Sequence, residues 1–148
     1  MPVNIAMHLR SWRSSCVNEP TWLKREILDE VHADQLKQHG GLPGIRDENA
    51  LESALARPKN RWSYQSDGDL FDLAAAYGFG LATSHPYTDG NKRIAFLAMY
   101  LFLGLNDFDL EASQVEVVEV MLQLASGSLD EIKLGNWLRA HSVEDPST

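Results

Sequence analysis

The sequence lacks several features that mark common protein classes. Its one cysteine, Cys16, cannot form an internal disulfide, and no Cys/His cluster has zinc spacing. No apolar run is long enough to cross a bilayer and no cleavable signal pattern is present, so we expect a cytoplasmic protein with no membrane partner. Basic residues are few: the sequence has 13 Lys and Arg residues and 21 Asp and Glu residues, so its net charge is −8. This balance argues against direct binding to nucleic acid, whose phosphates require a basic surface.

Strand signals are also scarce, and the patterns that are present predict helices. A chain of 148 residues with 44% hydrophobic residues can form one globular domain. We expect an all-α fold, with the apolar helix Ile94–Leu103 as its hub. Residues 59–68 are predicted to be a loop, and only 42–45 and 108–110 resemble strands. The predicted helices run from a Thr21 cap to Gly40, from an Asp47 cap to just before Pro58, from an Asp69 cap to about Thr83, from Asn91 to about Leu105, and from capping boxes at Ser113–Glu116 and Ser128–Glu131.

The most informative segment is the nonapeptide that immediately precedes the apolar run, His85–Arg93 (His-Pro-Tyr-Thr-Asp-Gly-Asn-Lys-Arg). The first turn of a helix carries partial positive charge and favours acidic residues. This helix instead opens with Lys92 and Arg93, an arrangement that makes sense if an anion binds between them. Free backbone N–H groups at a helix start form such a site, and Gly90 allows the ligand to approach the backbone closely. The segment therefore predicts a phosphate site.

The chemistry of the other side chains suggests how such a site could work. A neutral imidazole at His85 can take a proton from a hydroxyl that attacks phosphorus. Asp89 can hold Mg²⁺, which takes carboxylate and phosphate oxygens together. Asn91, Lys92 and Arg93 would bind phosphate oxygens. The alternatives are a structural hydrogen bond for the histidine, a loop-capping role for the aspartate and a solvated helix start.

The nonapeptide resembles the signature of the Fic family, His-Pro-Phe-x-x-Gly-Asn-Gly/Lys-Arg. With Asp89 and Lys92 it resembles the Doc branch, the toxins of Phd–Doc-type toxin–antitoxin modules. The resemblance covers about residues 21–140, and Tyr87 replaces the usual Phe. Supporting similarity lies in the segments 40–47, 51–58 and 102–106, whereas Thr83 and Ser84 stand where some Doc-type proteins carry a basic residue.

The resemblance implies a compact Fic-like helical bundle around a central buried helix. It would span residues 21–141, between an N-terminal extension at 1–20 and a C-terminal tail at 142–148. The implied activity is transfer of the γ-phosphate of ATP, with Mg²⁺, to a Ser/Thr hydroxyl of a target protein such as elongation factor Tu, which halts translation. The implied site comprises catalytic His85, Lys92 and Arg93, nucleotide-binding Gly90, Asn91, Lys92 and Arg93, and metal-binding Asp89.

The resemblance also implies a partner and leaves alternatives open. Doc-type toxins are bound by a Phd-like antitoxin, so we expect an apolar groove rimmed by charge. Fic relatives with Gly in place of Lys92 transfer AMP instead, and a catalytically idle binding module is a third possibility. Ser15 and Glu19 have the spacing of the self-inhibitory Fic helix, but Pro20 follows, which favours inhibition by a separate protein.

Outside the motif, three residues have competing interpretations. His32 falls on the apolar face of its helix with Leu28 and Leu36, so it is predicted to be structural rather than a ligand. Arg46 and Asp47 resemble the flap that positions a target chain in Fic-like proteins. A plain N-cap is the preferred interpretation for Asp47.

Overall fold

The computed structural model describes residues 19–64 and 68–145, and this part of the chain is mostly helical. The all-α prediction is confirmed, because the only sheet among the described residues is a short antiparallel pair in which Leu110 lies opposite Ser142. No helix among the described residues is both long and apolar enough to cross a membrane. The elements in chain order are α1 Arg25–His39, α2 Glu48–Tyr64, α3 Leu70–Ser84, α4 Asn91–Leu105, β1 Phe108–Leu110, α5 Gln114–Ser126, α6 Glu131–Ala140 and β2 Ser142–Glu144.

The central buried helix is α3, so the prediction that the run Ile94–Leu103 forms the hub is wrong. Eleven of the 15 residues of α3 are buried, and it packs against α2, α4 and α6. Small residues, including Gly78 and Gly80, allow these neighbours to approach closely. By contrast, α4 leaves Tyr100 41% and Leu105 48% exposed. Overall hydrophobicity identified α4 as a core helix but could not show which helix lies innermost.

The start of α1 differs from the prediction, because it begins at Arg25 and Thr21 does not cap it. Thr21 instead ties the incoming chain to the end of α4. Its backbone N–H donates to Asn106 Oδ1 at 2.9 Å, and Asn106 Nδ2 donates to the Thr21 carbonyl at 2.9 Å. A distant side chain therefore fixes the backbone of Thr21 ahead of the helix.

The predicted end of α2 before Pro58 is also wrong, and residues 59–64 are helical rather than a loop. A proline inside a helix removes one backbone hydrogen bond and is usually disruptive. Here the turns beyond it are held from outside. Arg57 and Arg61 both pair with Glu131 in the first turn of α6.

Local caps were predicted better than helix lengths. The Asp47 cap is confirmed by a 3.0 Å bond from the Ala50 N–H. The Asp69 cap is confirmed and forms a full capping box with Asp72, as Ser113 does with Glu116. The cap predicted at Ser128 is wrong, because the side chain of Asp130 accepts from the Lys133 N–H instead. Ser128 donates to the Gln123 carbonyl at the end of α5.

The predictions for the strand-like pieces and for the two ends of the chain differ in how well they match the structure. Residues 142–144 of the predicted tail form β2 and pair with β1. The other strand-like piece, 42–45, contributes only an isolated bridge between Ile45 and Tyr87. Cys16 and most of the predicted 1–20 extension lie among residues 1–18, outside the described residues.

Candidate active site

The nonapeptide forms the connection between α3 and α4, and α4 begins at Asn91 as predicted. Its backbone turns twice through the left-handed region, at His85 with φ 50° and at Gly90 with φ 81°. Glycine adopts this conformation freely, but a non-glycine residue there costs on the order of 1–3 kcal/mol. The backbone of His85 is therefore held in place by its surroundings.

Side-chain and backbone hydrogen bonds close the loop on itself. The Asn91 side chain accepts from the Tyr87 N–H and donates to the Tyr87 carbonyl, both at 2.9 Å. The segment before α2 braces the same loop, because the Thr88 N–H donates to the Gly44 carbonyl at 3.0 Å. Asn91 thus shapes the loop, and its predicted contact with phosphate stays a prediction.

His32 on α1 contacts the loop and helps to hold it in place, as expected for a structural histidine. Its side chain is only 6% exposed, and Nε2 lies 2.9 Å from the Asp89 carbonyl, a geometry that requires the proton on Nε2. The ring stacks on Tyr87 with centroids 3.9 Å apart. The Tyr87 hydroxyl donates to Asp29 at 2.8 Å, and burial together with this bond raises the pKa of Tyr87.

All six predicted site residues line one open cavity of about 620 Å³ at the start of α4. Five further residues that were not predicted complete the wall. The lining comprises His85, Asp89, Gly90, Asn91, Lys92 and Arg93, with His39, Gly40, Gly41, Thr88 and Ala125. The cavity therefore places an exposed imidazole, a carboxylate and two cations around the same space.

The electrostatics of this cavity favour an anion. No side chain caps the start of α4, and the first N–H to find a helical partner belongs to Ile94, which donates to the Gly90 carbonyl at 3.0 Å. Lys92 and Arg93 are exposed and pair with no carboxylate in the part of the chain that the structure describes. Other arginines do form such pairs, namely Arg25, Arg57, Arg61 and Arg139. Unpaired cations beside free helix N–H groups are the features of a phosphate site.

The carboxylate of Asp89 is fixed at the edge of the cavity. Its oxygens accept from the Leu42 N–H at 3.2 Å and from the Gly90 N–H at 2.9 Å. Gly41 passes so close that an added Cβ would lie 3.0 Å from Asp89 Oδ2. No group of three or more metal-binding side chains occurs among residues 19–64 and 68–145. The arrangement suits Mg²⁺, which in nucleotide sites takes one or two carboxylates and completes its shell with phosphate oxygens and water.

Sequence reasoning missed His39 and Gly41 as parts of the cavity wall, and it assigned Arg46 to a flap for the target chain rather than to a contact with the loop. His39 was considered unremarkable and the glycines were taken as a helix stop, yet both lie beside the anion site because α1 ends there. The Arg46 guanidinium donates to the carbonyls of Ser84 and His85. The only available signal was the flap similarity around Arg46, because these contacts join residues that are far apart in sequence.

Comparison with known proteins agrees with this geometry. A model of the Fic/DOC family matches residues 22–103. The chain is 31% identical over 114 residues to the protein kinase doc of Escherichia phage P1, covering 77% of this chain and 90% of that protein. It is 36% identical over 88 residues to the toxin Doc of Mycolicibacterium smegmatis, covering 55% of this chain and 68% of that toxin.

Proposed function

Because the chain belongs to the Fic/DOC family, we propose that it is a Doc-type toxin that transfers the γ-phosphate of Mg-ATP to a Ser/Thr hydroxyl of a target protein. Elongation factor Tu is the target that the resemblance suggests, and its modification would halt translation. The observation that carries the proposal is the shared cavity, in which His85, Asp89, Lys92 and Arg93 surround the uncapped start of α4.

In this proposal the start of α4 binds the phosphates. The free N–H groups that follow the left-handed Gly90 form a concave surface of donors. Lys92 supplies a mobile point charge, and Arg93 supplies a planar fork that can hold two oxygens. As charge shifts onto the phosphate and leaving-group oxygens during transfer, these groups stabilise it without reorganising.

His85 would act as the general base. Its imidazole is exposed in the cavity wall and has no hydrogen-bond partner among the described residues, so it is available to a substrate hydroxyl. Asp89 would hold Mg²⁺ together with phosphate oxygens. When bound, the ion would supply positive charge that neutralises the charge of the phosphate oxygens. The hydroxyl oxygen then bonds to the γ-phosphorus, its proton passes to His85, and ADP leaves.

The antitoxin would bind in a second groove of about 560 Å³, which shares His39, Lys92 and Arg93 with the cavity. Its remaining walls come mostly from α4 and α5, namely Gln35, Phe96, Leu97, Gln114, Val117, Val118, Met121 and Leu122. The groove is apolar along its length and basic at one end. It suits an amphipathic antitoxin helix with an acidic residue at the basic end, which would block the anion site.

A groove variant tests this part of the proposal. Leu122 is 53% exposed in the groove, and Leu122→Asp should abolish co-purification with a co-expressed Phd-like antitoxin. Ile132→Asp is the matched control, because Ile132 is 68% exposed on α6 and does not line the groove. Equal retention of the antitoxin by both variants would place its binding site elsewhere.

Mass spectrometry tests the reaction type. The protein is incubated with Mg-ATP and either a bacterial lysate or purified elongation factor Tu. A gain of about 80 Da on a Ser or Thr supports phosphoryl transfer, whereas a gain of about 329 Da would show AMP transfer. Lys92→Gly should lose the phosphoryl product. If no product forms but the antitoxin still binds tightly, the chain is an idle binding module.

A further inference from the structure

A single arginine outside the motif spans the point where α3 ends and the catalytic loop begins. Arg46 Nε donates to the His85 carbonyl at 2.7 Å, and Arg46 Nη2 donates to the Ser84 carbonyl at 2.8 Å. The two carbonyls belong to consecutive residues, so one planar guanidinium fixes the orientation of both peptide groups. Hydrogen bonds that involve a charged donor are shorter and stronger than neutral ones, and a rigid fork adds geometric specificity.

The backbone of the same arginine is tied to the same loop. The N–H groups of Arg46 and Asp47 both donate to the Pro86 carbonyl, at 2.8 Å and 3.0 Å. The carbonyls of Ser84, His85 and Pro86 are therefore all bound by the chain at Arg46 and Asp47. Asp47 in turn caps α2, which anchors this contact to a helix packed on α3.

The residue that this contact holds, His85, has a backbone conformation that is unusual for a non-glycine residue. His85 lies in the left-handed region with φ 50°, a conformation that few non-glycine residues adopt, although histidine adopts it more often than most. The conformation sets the direction in which the imidazole leaves the chain, and no hydrogen bond among the described residues fixes the ring itself. The orientation of the proposed base thus depends on its backbone, and its backbone is bound by Arg46.

We propose that Arg46 is a positioning residue, whose guanidinium clamps the carbonyls of Ser84 and His85 so that the imidazole faces the anion site. This inference rests on the proposed phosphotransfer, but the clamp itself is a structural feature that can be observed without activity. Arg46 does not line the cavity, so it acts through His85 rather than on the nucleotide.

The kinetic test separates orientation from binding. Arg46→Ala should lower kcat by about 10- to 100-fold, since a displacement of about 1 Å can have an effect of that size. KM for ATP should not change, because Lys92, Arg93 and the start of α4 remain in place. Arg46→Lys keeps one charged donor and should recover part of the lost kcat.

The control is Arg57→Ala, which removes an exposed arginine whose guanidinium bonds to Glu131 rather than to the loop. It should leave kcat at the wild-type value even if it lowers the melting temperature as much as Arg46→Ala does. The inference is overturned if Arg46→Ala keeps the wild-type kcat, if both variants lose the same fraction of it, or if only KM changes.

A second measurement does not depend on any reaction. The backbone ¹³C shifts of His85, read by NMR on the protein without nucleotide, report its left-handed conformation. They should move toward ordinary values in Arg46→Ala and stay unchanged in Arg57→Ala. Unchanged shifts in Arg46→Ala would refute the clamp whatever the activity. Shifts that move, in a protein that transfers nothing to any target, would support the clamp while refuting the proposed function.

Discussion

At the scale of single residues, the polar side chains at the site differ in whether they make hydrogen bonds within the protein. Asn91 and His32 use their polar atoms to shape the loop. The imidazole of His85 and the cations of Lys92 and Arg93 have no such internal role in the part of the chain described. Because these polar groups line one cavity and make no hydrogen bond or ion pair within the described part of the protein, they are available to bind a ligand.

Replacing His85 with Ala should reduce transfer by about 10²–10⁴-fold, because the attacking hydroxyl loses its proton acceptor. The rate is measured with radiolabelled ATP, and circular dichroism checks that the variant is folded. His141→Ala is the control, because that imidazole contacts Trp137 and Glu116 outside the cavity. A folded His85→Ala protein with full activity would exclude His85 as the base.

At the scale of elements, helix starts decide both stability and function. The starts of α3, α5 and α6 are closed by acidic or hydroxyl side chains at Asp69, Ser113 and Asp130. The start of α4 has no side-chain cap, and two cations follow it. Helix α1 also lacks a side-chain cap, but Arg25 at its start pairs with Asp29, Glu48 and Glu52. Lys92 and Arg93 pair with no carboxylate among the described residues, and these unpaired cations at a helix start favour a bound anion.

Lys92→Ala and Arg93→Ala should each raise the Kd for Mg-ATP about 10- to 100-fold, since a hydrogen bond to a charged group contributes about 1.5–3 kcal/mol. Isothermal titration calorimetry measures this directly. Lys133→Ala is the matched control, because Lys133 also lies in the first turn of a helix, but that turn is capped by Asp130. Equal affinities in all three variants would mean that the charges at α4 are merely solvated.

The capping box of α5 predicts a pH dependence of stability. The pKa of the Glu116 carboxyl lies below its ordinary value of 4.5, chiefly because it accepts from the Ser113 N–H and secondly because of His141. A carboxyl whose pKa is lower in the folded state stabilises the fold above its unfolded pKa, and that stabilisation is lost as the pH falls through its folded pKa. Glu116→Gln should therefore lower the melting temperature at pH 7, and the difference from wild type should vanish at acidic pH. If the difference in melting temperature persists at a pH below the folded pKa of Glu116, the loss of stability comes from the changed shape of the side chain rather than from its charge.

At the scale of the whole molecule, close helix approach around α3 positions the site. Gly78 on α3 is buried, and an added Cβ would lie 2.3 Å from Met99 Sδ and 2.8 Å from Met99 Cγ on α4. Since Met99 is fully buried, it has little room to move away. The contact sets the distance between the helix that ends at His85 and the helix that begins at Asn91.

Gly78→Ala should destabilise the protein by about 1–3 kcal/mol, because it overpacks the core. Gly104→Ala is the matched control on α4. An added Cβ there meets nothing within 4 Å, so it should stabilise by about 0.5–1 kcal/mol. Urea denaturation measures both changes in the free energy of unfolding. A Gly78→Ala protein as stable as wild type would show that Met99 can shift without cost.

Features that depend on residues a few positions apart could be determined from the sequence itself. The caps at Asp47, Asp69 and Ser113, the start of α4 and the family motif all belong to this group. Their interactions lie within one helical turn or one short loop, so the residue types are enough to specify them.

The tertiary structure decided whatever depends on partners distant in the chain. Helix α2 continues through Pro58 because Arg57 and Arg61 reach Glu131, and α1 starts late because Thr21 binds Asn106. The same holds at the site, where Arg46 meets the His85 carbonyl. The physical reason is shared: in each case a long-range hydrogen bond, ion pair or packing contact outweighs a local preference of about 1–3 kcal/mol, and local sequence patterns carry no record of which distant residue supplies it.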